Sequence, residues 1–202
     1  MNYVLTSNGT VSWRGPARVL SIALCLAGFV QFATGAIVPA KAMVAQLLLE
    51  RAFDRSVATH RSQKPWPWAD MAPIARISVP RLGVDSIVLD TGSGQAMAFG
   101  PTLLPGGARL GAPGTAVIAA HRDTHFRFLE HVRTGDLIAV KSLDGTTQRY
   151  RVNGAEIVRW DKFAVDTEGA AAQLALSTCY PFGALDHGPL RYVVHASQIE
   201  KR

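Results

Sequence analysis

Cys179 closes the apolar run Gln173-Leu174-Ala175-Leu176-Ser177-Thr178, and it is the only thiol outside a strongly hydrophobic N-terminal stretch. A lone cysteine in a domain cannot form an internal disulfide, so it is either inert packing or a reagent. Two further residues favour the reagent. His121 follows the apolar run Ala116-Val117-Ile118-Ala119-Ala120, and Arg191 opens a third, Tyr192-Val193-Val194. All three polar groups therefore fall at the edges of segments with strand character.

The three side chains have complementary chemistry. A cysteine attacks a carbonyl as thiolate, and a free thiol titrates near pH ~8.5, so it needs a neighbouring base or positive field. Histidine can protonate a leaving amine and then take a proton from an incoming nucleophile, because its ordinary pKa lies near ~6.5. Arginine keeps its charge throughout and can hold a tetrahedral oxyanion or a substrate carbonyl. Each residue alone also has a bland explanation, since a strand-end cysteine is commonly buried filler and a strand-end histidine beside an arginine is ordinary. The joint placement tips the reading toward acyl transfer.

These residues need a β scaffold, and the sequence after Asp70 supplies one. Short β-prone runs cover Ala75 to Val79, Ile87 to Leu89, Ala116 to Ala120, Leu137 to Val140, Gln148 to Val152, Ile157 to Arg159, Leu174 to Thr178 and Arg191 to Ala196. Their even spacing predicts a sandwich or barrel. Pro105-Gly106-Gly107 and Gly111-Ala112-Pro113-Gly114 mark turns, while Asp144-Gly145 and Asn153-Gly154 predict tight hairpins.

Before the β region, Val19 to Val38 carries no charge and only Ser21, Gln31 and Thr34 as polar interruptions. About twenty such residues suffice to cross a bilayer as a helix. Arg14 and Arg18 before it argue for a start on the cytoplasmic side, although Lys41, Arg51 and Arg55 weaken that bias. A cleaved signal peptide is the rival, with Ala40-Lys41-Ala42 as a poor cleavage site. Residues 41–58 have near-helical apolar spacing, and Pro65-Trp66-Pro67-Trp68 ends a linker. The division expected is a tail at 1–18, an anchor at 19–38, a juxtamembrane helix and linker at 39–69, and a catalytic β domain at 70–202. The net charge of +6 comes from dispersed Lys and Arg, without the basic patch that nucleic-acid binding requires.

The segments His121-Arg122-Asp123-Thr124-His125-Phe126, Leu176-Ser177-Thr178-Cys179-Tyr180-Pro181-Phe182 and Gly188-Pro189-Leu190-Arg191-Tyr192 together resemble those of a sortase. The Pro65 to Asp70 entry and the Cys-Tyr-Pro-Phe run resemble, more narrowly, the sortase class of Gram-negative proteobacteria. The resemblance implies an all-β fold: a closed eight-stranded barrel with short helices, preceded by a transmembrane helix. It implies a membrane-anchored cysteine transpeptidase with Cys179 as nucleophile, His121 as general acid/base and Arg191 as oxyanion or substrate-positioning residue. The partners implied are a secreted protein with a C-terminal sorting signal and an amine acceptor of unknown identity, at the inner membrane with the catalytic domain facing the periplasm. The family's Thr-Leu-x-Thr-Cys signature reads Ala175-Leu176-Ser177-Thr178-Cys179 here, and Ala120 stands where a glycine is expected.

Around this trio, Thr178, Thr124 and Asp186 are the candidate substrate-binding residues, and Asp186 and His187 lie in the loop before Arg191. Asp123 is read as starting a turn with Thr124. His121 and His125 lack the glutamate of a zincin and an obvious third ligand, so no metal is expected, and the chemistry calls for no cofactor. Two alternatives stay open. A hydrolytic cysteine peptidase would share the first half-reaction, and a non-catalytic envelope domain would leave Cys179 silent.

Overall fold

The computed structural model describes residues 14–184, 186 and 188–199. The predicted tail thus lies mostly outside the described residues, as does His187. Two units divide near Met43 and Val44. Helix α1 (Arg14–Thr59) is helical throughout, with Pro39 inside it. In its first part, Val19, Leu20, Ile22, Leu24, Leu26, Phe29, Val30 and Phe32 are all exposed. An 18-residue window there has a mean hydropathy of 1.9 and nothing covering it, so the segment is long and apolar enough to cross a membrane.

The second unit is a closed barrel. Its strands are β1 (Pro73–Val79), β2 (Val84–Leu89), β3 (Thr102–Leu103), β4 (Gly114–Ala119), β5 (Leu137–Ser142), β6 (Thr147–Arg159), β7 (Ala172–Tyr180) and β8 (Leu190–Gln198). The order around the barrel is β1-β2-β3-β4-β7-β8-β6-β5. Most neighbours are antiparallel, but β2 pairs with β3, and β4 with β7, in parallel. The interior is filled by alternating side chains, among them Ile77, Ile118, Ile138, Tyr150, Leu174, Leu176 and Val194. Pairing of β1 with β5 closes the sheet on itself and shortens the edge open to association.

The expected barrel of eight strands is present, with a different count of parts. Asn153-Gly154, expected to turn a hairpin, lies inside the 13-residue strand β6. The register shifts there, between Val152 and Gly154. The extra residue bulges the strand at the place where β6 leaves β5, whose last partner is Arg151, and continues along β8 alone as far as Arg159. The two runs predicted on either side of it are one strand. The eighth strand is instead β3, two residues long and too short to show any alternation. Asp144-Gly145 does turn the β5–β6 hairpin, with Gly145 at φ 81°.

The C-terminal part of α1, from Val44 onward, packs on this barrel. Leu49 and Phe53 are buried with Met71, Ile87 and Leu89, and Trp66 of the linker joins them edge-on to Phe99 at 5.5 Å. Trp68 is exposed. Arg76 of β1 pins the helix, bonding Glu50 on one side and Asp85 on the other (2.7 Å), with its guanidinium 5.2 Å from the Phe53 ring. Replacing Phe53 with alanine removes a fully buried ring and the face that Arg76 covers, so the unfolding free energy of the full chain in denaturant should fall by about 3–5 kcal/mol. A loss below about 1 kcal/mol would show that the helix is not docked as described.

Candidate active site

Cys179 and Arg191 lie on adjacent strands and His121 follows a third, and pairing register sets where each falls along one rim. Across the parallel pair, Ala119 of β4 lies opposite Ser177 of β7. The ladder continues one step further, where the Ala120 amide donates to the Ser177 carbonyl at 3.3 Å. Two residues beyond Ala119 and Ser177 are His121 and Cys179. Across the antiparallel pair, Cys179 is the direct partner of Arg191 on β8. Neighbouring strands lie roughly 4.8 Å apart, which sets Arg191 beside the cysteine, while His121 follows the last β4–β7 pair on the other side.

The period of two decides which face they share. Val117, Ala175 and Val193 form one cluster on the outside of the barrel, covered by Leu104, Val158, Phe163 and Val165. Stepping by two along β7 and β8 from that cluster leads to Cys179 and Arg191, and His121 lies two residues past Ala119, the last residue of β4. The intervening residues point inward, and Ala120, Leu176 and Val194 belong to the main core. Cys179 and Arg191 thus sit half-buried at the end of an outward-facing apolar strip, and His121 is exposed in the loop that follows β4.

Thr178 faces the other way. It is 2% exposed and its hydroxyl donates to the Ala120 carbonyl at 2.8 Å. That bond ties the end of β7 to the end of β4 directly beneath the Cys179–His121 pair. Arg191 gives one guanidinium nitrogen, Nη1, to the carbonyls of Gly188 (3.1 Å) and Leu190 (2.8 Å). Among the described residues its Nε and Nη2 have no partner, and these donors are what an oxyanion or a substrate carbonyl would use. Asp186 is exposed in the β7–β8 connection. Thr124 is exposed as well and lines a cleft of about 470 Å³ between the His121 loop and Gly83–Ser86.

The loop after His121 is built on hydrogen bonds that the sequence does not announce. As expected, Asp123 and Thr124 lie in a turn. Asp123 accepts the Arg122 guanidinium through both carboxylate oxygens, at 2.9 and 3.2 Å. That bond, helped by the charges of Arg127 and His121, holds the Asp123 carboxyl below the usual carboxylate range. Arg122 itself is 5% exposed and donates to the carbonyls of Pro181, at 2.7 Å, and Ala184. Its burial is the feature that residue types alone miss, because an arginine beside an Asp-Thr turn reads as solvated. Beyond the nucleophile, Tyr180, Phe182 and Tyr192 stack on one another with centroids 5.2 to 6.2 Å apart, stiffening the same edge of the barrel.

His125 carries the loop's pH sensitivity. Burial pushes its pKa below 6.5 and the His121 charge adds to this, while its bond to the Ala98 carbonyl opposes them. The unfolded chain therefore takes up the proton first as pH falls, so His125 contributes stability that is present above pH 6.5 and lost as pH drops through the folded value. His125→Gln keeps a donor for Ala98 and removes the titration. Denaturant unfolding between roughly pH 7 and pH 5 should show a stability loss in the native chain that this variant lacks, and parallel curves would contradict the assignment.

With this geometry described, the comparisons with known proteins are specific. A family model described as the sortase domain matches residues 77–199. Sortase D of Bacillus subtilis (strain 168) is 30% identical over 87 residues, which is 43% of this chain and 43% of that protein. The chain therefore spans less than half of that relative. Sortase A from Corynebacterium diphtheriae has a TM-score of 0.60 at 25% identity, over 67% of this chain and 64% of that one. A Clostridium perfringens sortase D5 transpeptidase has a TM-score of 0.62 and is covered over 99% of its length, against 78% of this chain; at 20% identity it shows the fold.

Proposed function

Because this chain belongs to the sortase family, we propose that it is a cysteine transpeptidase that cuts a sorting signal near the C-terminus of a secreted protein and joins the new carboxyl to an amine. The observation that carries the proposal is the register: Cys179 directly opposite Arg191, with His121 two residues past the last β4–β7 pair. Strand geometry of that kind supports placing nucleophile, acid/base and oxyanion donor around one carbonyl.

In this reading the Cys179 Sγ attacks the scissile carbonyl and the C=O electrons move to oxygen, where the Arg191 donors stabilise the charge. The tetrahedral adduct collapses with cleavage of the C–N bond, and the His121 imidazolium gives its proton to the departing amine. A thioester on Cys179 remains. The neutral imidazole then removes a proton from an incoming amine, which attacks the thioester carbonyl and expels the thiolate. One amide is broken and one is made, so no net redox change or cofactor is needed. Water in the amine's place would give hydrolysis instead.

Thr178 contributes by fixing the ends of β4 and β7 through Ala120, while Thr124 and Asp186 stand where they can meet substrate. The exposed apolar part of α1 serves as the anchor, in an inner membrane with the barrel on the periplasmic side. The resemblance of the Pro65 to Asp70 and Cys-Tyr-Pro-Phe segments supports a proteobacterial class for the enzyme.

Intact-mass spectrometry of the full chain, incubated with secreted proteins and no added amine, should reveal a hydroxylamine-labile adduct on Cys179. Cys179→Ala should form none, and His121→Ala or Arg191→Ala should slow its formation by at least about 100-fold. An adduct that survives in Cys179→Ala, or none in the native chain, would overturn the proposal.

A further inference from the structure

Arg122 stands out among the charged side chains because it is buried where the histidine loop meets the segment after the cysteine. Charged side chains are rarely buried this far without a reason, since desolvation must be offset by paired acceptors. Its ion pair with Asp123 does not supply that reason, as the Asp123 carboxylate is 66% exposed and the pair joins adjacent residues that could meet equally well in water. The remaining donors do. They reach inward to Pro181 and Ala184, the second and fifth residues after Cys179. One rigid planar group, fixed to the residue next to His121, thus holds the backbone that leaves Cys179.

We propose that Arg122 is a positioning residue for acyl transfer: its guanidinium clamps the Pro181–Ala184 segment to the His121 loop, setting the approach of sulfur to imidazole. This rests on the roles proposed for Cys179 and His121. The clamp needs a fork that reaches several carbonyls at once, which lysine, though charged, does not supply.

Hydrogen exchange of the Phe182 to Ala184 amides reads the clamp, and formation of the hydroxylamine-labile adduct reads its effect on the chemistry. Both are best measured in a Cys25→Ser background, which leaves Cys179 as the one thiol of the chain. Arg122→Lys should raise exchange in that segment and form adduct at least about tenfold more slowly at saturating substrate, with the half-saturating concentration unchanged, because charge persists and the fork is lost. Circular dichroism and thermal melting establish that the variant is folded. Native exchange or a native adduct rate in folded Arg122→Lys would overturn the inference. Raised exchange in the variant while the native chain forms no adduct would instead sink the transpeptidase reading and leave the clamp intact.

Discussion

The parallel pairing of β4 with β7 is the constraint on which the site depends. Parallel neighbours cannot be joined by a tight turn, so the chain between Ala119 and Ala172 travels around the barrel through β5 and β6 before returning. Because the two strands run the same way, their C-terminal ends emerge at one rim, and whatever follows each strand is placed beside the other. An antiparallel pair would have put the end of one next to the start of its partner. The Ala119–Ser177 register then fixes which residues meet, and a slip by one residue would turn Cys179 to the inside of the barrel.

Holding that rim in shape falls to side chains rather than to regular ladder bonds. The Thr178 hydroxyl closes the seam from within, and Arg122 closes it from the loop side. These bonds lie within a few residues of the three polar groups. That arrangement is typical of chemistry which depends on sub-ångström placement, where groups that never touch the substrate still govern the geometry of those that do. The aromatic stack of Tyr180, Phe182 and Tyr192 adds rigidity without further buried polar atoms.

Much of this was legible in the residues. Apolar alternation marks most of the strands, and the polar residues that close those runs mark the chemistry, because a strand end is where a core-facing pattern gives way to solvent. What alternation does not encode is which strand lies beside which, since pairing between β4 and β7 is decided by the whole barrel. Asn153-Gly154 carries a strong local turn signal that the long β6 ladder with β8 overrides, absorbing it as a bulge. β3 forms only because Thr102 and Leu103 find partners in Leu89, Ala119 and Ile118, none of them nearby in the chain. Arg122 is hidden for the same reason: its acceptors, Pro181 and Ala184, lie some sixty residues away.

The central claim is spatial, that the thiol of Cys179 is flanked by the imidazole of His121 and the guanidinium of Arg191 on one outer face. Nuclear Overhauser spectroscopy of the full chain in detergent measures this most directly. The account predicts cross-peaks from the Cys179 β-protons to the His121 ring and to the Arg191 side chain, alongside Val117 to Ala175 contacts on the same face. Cross-peaks from Cys179 to the interior residues Leu176 or Val194, with none to His121, would contradict it.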